Sequence, residues 1–150
     1  MRKPATPIAE NEDALHIAVA GYLRAAWPSH LLTFHVPNGG ERPSVERIDR
    51  KTGQTYRFSP QAAKLKRMGT IAGVPDFCLL LPKGRVGFIE LKTANGQLSA
   101  DQLEFRRVCL ANGHGHEICR TVEQVEETCV RWLAAFNQAP KARLSAGRAA

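Results

Sequence analysis

Two carboxylates stand among residues that form apolar strands. Asp76 opens the run Asp76-Phe77-Cys78-Leu79-Leu80-Leu81, and Glu90 lies inside Gly87-Phe88-Ile89-Glu90-Leu91-Lys92. Charged groups are rarely tolerated in such stretches unless they are paired or bind a cation. Alternation along a strand puts Glu90 and Lys92 on one face, with Ile89 and Leu91 on the other, so an acid and a base share a face. With Asp76 across a hairpin from Glu90, two carboxylates and a backbone carbonyl could supply oxygen ligands for Mg²⁺ or Mn²⁺, ions that also grip phosphate. The plain alternative is a solvated strand face with a weak ion pair, Asp76 being a turn residue after Pro75.

Other residues offer weaker chemistry. Cys109-x₄-His114-x-His116-x₂-Cys119 gathers four zinc-capable side chains, in a spacing unlike common zinc modules; free cysteines in a helix and a strand also serve as small apolar groups. His35, Asn38, Gly39, Gly40 and Arg42 could form a phosphate-binding turn, or an ordinary strand-ending one. Arg47, Arg50, Lys51, Arg57, Lys64, Lys66 and Arg67 make the middle of the chain basic, which suits a DNA backbone or a solvated surface equally. Trp27, Trp132 and the six Phe do not interleave with Arg or Lys, so no platform for stacking single strands is indicated.

The elements that must position these groups follow from local patterns. Leu15, Val19, Tyr22 and Ala26 recur at helical spacing, predicting a helix from Glu12 to Ala26 with Asn11 as N-cap and Pro28 beyond its end. Glu12 falls on the same stripe, either aimed at the buried side or serving as a favourable charge on the helix dipole. Leu31 to Val36 reads as a strand, and Glu41 to Phe58 as a polar excursion with a hairpin tip at Lys51-Thr52-Gly53-Gln54. Ser59-Pro60 opens a short basic helix that stops at Gly69. Asp76–Leu81 and Val86–Lys92 read as a β-hairpin joined by Pro82-Lys83-Gly84-Arg85. Ser99 and Gln102 have capping-box spacing before a helix of about three turns that Gly113 stops. Glu117–Arg120 is a strand, and Thr121 with Gln124 repeats the box before a helix striped by Val122, Val125, Cys129, Trp132 and Leu133 and ending near Phe136. The order α, β, α, β, β, α, β, α defines an α/β fold, a mixed central sheet flanked by helices.

Composition sets the frame. The chain has 150 residues, 21 Lys+Arg against 14 Asp+Glu and 43% hydrophobic residues, which suits one compact domain with a core that needs no disulfides. The expected layout is a frayed lead-in over residues 1–10, a domain over 11–136 with an insertion at 41–58, and a flexible basic tail over 137–150. The cysteines form no C-x-x-C pair, fitting a reducing cytoplasm. Polar Glu10, Asn11, Glu12 and Asp13 arrive where the apolar core of a secretory signal would stand, and no run suits a membrane span. A net charge of +7 favours a polyanionic partner.

As a combination, Gly73-Val74-Pro75-Asp76-Phe77, the strand and tight turn after it, and Ile89-Glu90-Leu91-Lys92 resemble the PD-(D/E)xK nuclease core. Glu12 on an early helix, Phe34-His35-Val36-Pro37-Asn38-Gly39-Gly40 and Gly96-Gln97-Leu98-Ser99-Ala100-Asp101-Gln102 extend the likeness to the VRR-NUC (virus-type replication-repair nuclease) branch, from about Glu12 to Val125. The resemblance implies a restriction-endonuclease-like core and a Mg²⁺ or Mn²⁺ site held by Asp76, Glu90 and the Leu91 carbonyl. Lys92 would orient or deprotonate the attacking water. Glu12 would be an outer ligand or bind a second metal, and Gln102 would face the catalytic site. That last role competes with the capping box, since one side chain does not easily serve both. The stretch Glu41 to Phe58 is longer than compact members need. Stand-alone members of this size resemble junction-resolving enzymes of phage or prophage replication and repair, which implies a homodimer acting on branched DNA and leaving 5′-phosphate and 3′-hydroxyl ends. Two rivals stand beside this: a nicking or restriction-like nuclease acting on plain duplex, and a non-catalytic DNA-binding accessory module.

Overall fold

Asn11 starts the first helix as its position predicts: its side-chain oxygen accepts from the backbone N–H of Asp13 and Ala14 at 2.6 and 3.2 Å. The computed structural model describes residues 11–37 and 42–144, so the expected lead-in and Asn38, Gly39 and Gly40 lie outside the described residues. The elements run α1 (Glu12–Ala26), β1 (Thr33–His35), β2 (Val45–Ile48), β3 (Thr55–Phe58), α2 (Pro60–Arg67), β4 (Phe77–Leu80), β5 (Val86–Leu91), α3 (Ala100–Ala111), β6 (Gly115–Cys119) and α4 (Val122–Ala134), with a short 3₁₀ turn at Pro82–Gly84. The chain divides into two compact units, one of Met1–Val36 with Gly73–Ala150 and one of Pro37–Ala72.

The larger unit holds a mixed sheet in the order β1-β4-β5-β6, antiparallel except for the parallel β5–β6 pair. Alternation sorts its side chains into two layers. Leu79, Ile89, Leu91 and Cys119 are buried with Leu15, Val19 and Leu23 of α1 and with Val125, Cys129 and Leu133 of α4. On the opposite face Phe88 meets Phe105 of α3 edge-on, their ring centroids 5.1 Å apart. No helix among the described residues is long and apolar enough to cross a membrane.

The smaller unit corrects the expected element order. The excursion contains two strands that pair antiparallel in a sheet of their own, Val45 opposite Phe58 and Ile48 opposite Thr55. Neither strand has a buried face, and Val45-Glu46-Arg47-Ile48 lacks strand alternation, so only the hairpin tip between them was expected. In α2, Ser59 caps with its hydroxyl accepting from Ala62 N–H at 3.3 Å, Pro60 takes the first turn, and no residue is buried.

Two further expectations change. Thr121 caps α4, but the Gln124 side chain accepts from Arg120 N–H at 2.7 Å, one residue before the position a full box requires. The first part of the supposedly flexible tail is tied down. Lys141 N–H donates to the Ala26 carbonyl at 2.6 Å, Leu144 N–H to Glu126 at 2.8 Å, and Leu144 packs on the core. Residues 145–150 lie outside the described residues.

Gly87 and Gly115 are direct neighbours in the parallel pair, and a Cβ on either would collide with the Trp132 ring. The two glycines form the slot that seats this indole. Gly87→Ala is expected to destabilise the protein by about 1–3 kcal/mol through overpacking, read as a lower urea midpoint, and pairing it with Trp132→Leu should recover part of the loss. An unchanged midpoint for Gly87→Ala would contradict the slot.

Candidate active site

The β4–β5 register pairs Phe77 with Ile89, so the next step along the hairpin sets Asp76 opposite Glu90. Asp76 is fixed from three sides. Its carboxylate accepts from Leu91 N–H at 2.8 Å, while its carbonyl accepts from Val36 N–H at 2.8 Å and lies 2.9 Å from His35 Nδ1. His16 of α1, which the sequence reading did not single out, packs edge-on against His35 with centroids 4.4 Å apart and also touches Phe77. Its spacing of four from Glu12 on one helix was the available signal. Burial first, then His35, holds its pKa below the usual histidine value.

Glu90 is 2% exposed, and both its described contacts fall on Oε1: Lys92 Nζ at 2.6 Å and Gln102 Nε2 at 2.5 Å. Burial raises its pKa most; the Lys92 hydrogen bond opposes this, and the negative charges of Asp76 and Glu12 add to the rise. The Glu12 carboxylate lies 3.8 Å from Lys92 Nζ, although its side chain is half exposed at the mouth of α1 rather than on the buried stripe expected of it. Lys92 thus lies within 4 Å of two carboxylates, Glu90 and Glu12, while Asp76 adds its negative charge at Glu90.

Gln102 overturns the expectation that capping and a place in the site exclude each other. Its oxygen accepts from Ser99 N–H at 2.9 Å and its backbone N–H donates to Ser99 Oγ at 3.3 Å, which completes the capping box, while its amide nitrogen reaches Glu90. The two ends of one amide do the two tasks. Gly73, at φ 80°, packs so closely on the start of α3 that a Cβ would strike the backbone of Asp101 and Gln102. The glycine thus brings the turn before Asp76 against the helix that holds Glu90. Arg120, also missed in the sequence, ties the loop between Lys92 and α3 by donating to the carbonyls of Thr93 and Gly96.

The zinc-capable quartet does not converge, and among the described residues no group of three or more His, Cys, Asp or Glu side chains is placed to hold a metal ion. His114 Nδ1 accepts from Val86 N–H at 3.3 Å, Cys119 Sγ lies 3.9 Å from the Thr128 hydroxyl, and His116 Nδ1 lies 3.3 Å from the Arg106 guanidinium. Of the expected DNA-contacting residues, His35 lies beside Asp76; Arg42, Lys64, Lys66 and Arg67 belong to the smaller unit, where all but the half-buried Arg42 are exposed.

The mixed sheet thus sets Asp76 opposite Glu90 on neighbouring strands, with Lys92 paired to Glu90. The VRR-NUC domain family model matches residues 22–123, about two thirds of the chain, and the chain belongs to this family. It is a nuclease of the PD-(D/E)xK type with DNA as its substrate. The matched span includes Asp76, Glu90, Lys92 and Gln102 and leaves Glu12 outside. No curated protein and no solved structure matches the chain significantly.

Burial, and next the Arg106 charge, push His116 down to about 4 from 6.5. A histidine held neutral when folded stabilises the protein fully above pH 6.5, and this contribution is lost as pH falls towards 4 because the unfolded chain takes up the proton first. His116→Gln is expected to flatten that acid limb, measured as urea midpoints between pH 7 and pH ~4.5. An acid limb as steep as the parent's would assign the loss to other groups.

Proposed function

We propose that the chain is a Mg²⁺- or Mn²⁺-dependent DNA endonuclease of the cytoplasm that cuts branched DNA, four-way junctions included, as a homodimer in phage or prophage replication and repair. The observation that carries the metal-dependent reading is Glu90: a carboxylate removed from water, next to Asp76, with its rotation set by Lys92 and Gln102 on a single oxygen. Burying such a charge is unfavourable unless a function retains it. Clustered hard oxygen donors whose charges one lysine cannot balance fit a small divalent cation. Asp76, Glu90 and the Leu91 carbonyl would hold it, with Glu12 as an outer or second-metal ligand. A bound Mg²⁺ or Mn²⁺ supplies Lewis acidity toward phosphate and water.

The chain's own groups do the rest. Lys92 orients the attacking water or, as the neutral amine, helps take up its proton, and in its ammonium form it offsets charge on the phosphorane-like transition state. Gln102 keeps the Glu90 carboxylate from rotating, and the hydrogen bond from Leu91 N–H does the same for Asp76. His35 buttresses the Asp76 backbone; by their residue types Asn38, Gly39, Gly40 and Arg42 would supply phosphate-binding groups, and Lys64, Lys66 and Arg67 positive charge for DNA. Cleavage leaves 5′-phosphate and 3′-hydroxyl ends. A two-fold dimer suits paired cuts across a junction.

Purified protein incubated with junction, flap, nicked and linear DNA should cleave in Mg²⁺ or Mn²⁺ and stop on chelation, the junction being cut faster than linear duplex of equal length. Lys92→Ala is expected to lower the cleavage rate by about 10²-fold or more while DNA binding persists; Lys92→Arg, which keeps the charge beside Glu90, serves as the folding control. Equal rates on junction and linear DNA would replace the branched-substrate reading with plain-duplex nicking. DNA binding indifferent to chelation, with no nick at any divalent concentration, would leave an accessory module. A monomeric mass in gel filtration would remove the dimer.

A further inference from the structure

The charge of this protein is concentrated in one place. Residues 37–72 carry eight Lys and Arg against Glu41, Glu46 and Asp49, a net +5 of the +7 for the whole chain, although they are about a quarter of its length. Among the described residues, none of those eight basic side chains is in a salt bridge. The segment leaves the larger unit after Val36 and returns at Gly73.

Its β2–β3 ribbon has no reason to exist as a piece of core. Both strands are exposed along nearly their whole length, and Val45, Ile48 and Tyr56 are 51%, 68% and 47% exposed. A two-stranded hairpin wet on both faces is marginal alone. Its turn is nevertheless well specified: Asp49 Oδ1 accepts from Lys51 and Thr52 N–H at 2.7 and 3.2 Å, and Gly53 supplies a φ of 71°. The register sets Arg47 opposite Tyr56 on the face that also carries Val45 and Phe58, and the Arg47 guanidinium lies 4.1 Å over the Phe58 ring. Arg50 and Lys51 project from the tip, where they line a hollow with Arg47, Asp49 and Tyr56.

We propose that this ribbon is a grip for duplex DNA, entering the major groove with Arg47, Arg50 and Lys51 against the flanking phosphates. A major groove about 12 Å wide accepts a two-stranded ribbon. Its excess of positive charge opposes a second copy of the same ribbon as the occupant. Single strands are disfavoured because Arg47 covers Phe58, leaving Tyr56 without a neighbouring ring on which successive bases could stack. The inference takes its substrate from the nuclease reading above and is tested apart from it.

The test is binding of the full chain to a fluorescent linear duplex in EDTA across a salt series, comparing the parent with the triple variant Arg47→Ala/Arg50→Ala/Lys51→Ala. Three lost phosphate contacts should make the slope of log affinity against log salt shallower by about 3. Arg50→Gln/Lys51→Gln, confined to the exposed turn, leaves the ribbon's faces intact and should remove about 2 from the slope. Slopes equal to the parent's in both folded variants would overturn the grip. Tighter binding of a single strand, dependent on the same residues, would overturn the duplex assignment, and a changed oligomeric mass at constant DNA affinity would make the ribbon a protein interface instead. A parent that binds through the ribbon but never nicks in Mg²⁺ sinks the nuclease reading alone. A parent that nicks, with variants that bind as it does, sinks the grip alone.

Discussion

One buried carboxylate organises this molecule. Glu90 sits on a central strand with almost no water around it, and an isolated charge there would be far more costly than one hydrogen bond could offset. The surroundings answer that constraint element by element. β5 brings Lys92 to the same side, α3 begins where its first turn can present Gln102, and the turn at Gly73 lies against that helix so that Asp76 stands across the hairpin. Losing Lys92 would remove the counter-charge and losing Gln102 a hydrogen bond to Glu90, whereas Asp76 adds like charge beside it.

Much of this was legible from sequence because it is local. The capping residues Asn11, Ser59, Ser99 and Thr121 and the β4–β5 hairpin are set by neighbours within a few positions, and they stand where the residue pattern puts them. The coincidence of Asp76, Glu90 and Lys92 was legible for the same reason, since a single tight hairpin joins them. What escaped was either non-periodic or long-range. β2 and β3 bury neither face and Val45-Glu46-Arg47-Ile48 does not alternate, so only the hairpin tip between them was read. Arg120 reaches Thr93 and Gly96 across more than twenty residues, and His16 meets His35 and Phe77 only once the helix lies on the sheet. The segment up to Leu144 lacks an apolar stripe and is held by long-range contacts, Lys141 N–H to the Ala26 carbonyl and Leu144 N–H and Arg143 to the Glu126 carboxylate, that no local pattern announces.

The two units differ in charge and in burial. The larger unit is close to neutral and spends its apolar residues on a layered core, which gives the acidic groups rigid strand ends to stand on. The smaller unit is strongly basic and buries little.

The amide of Gln102 has an evolutionary corollary. A Glu there would keep the oxygen that starts the helix but set a second anion on Glu90; an Asn would be too short to bridge both partners, and an apolar residue would forfeit them together. A change that alters the helix start and one that alters the surroundings of Glu90 therefore fall on the same side chain, so neither trait can drift without dragging the other.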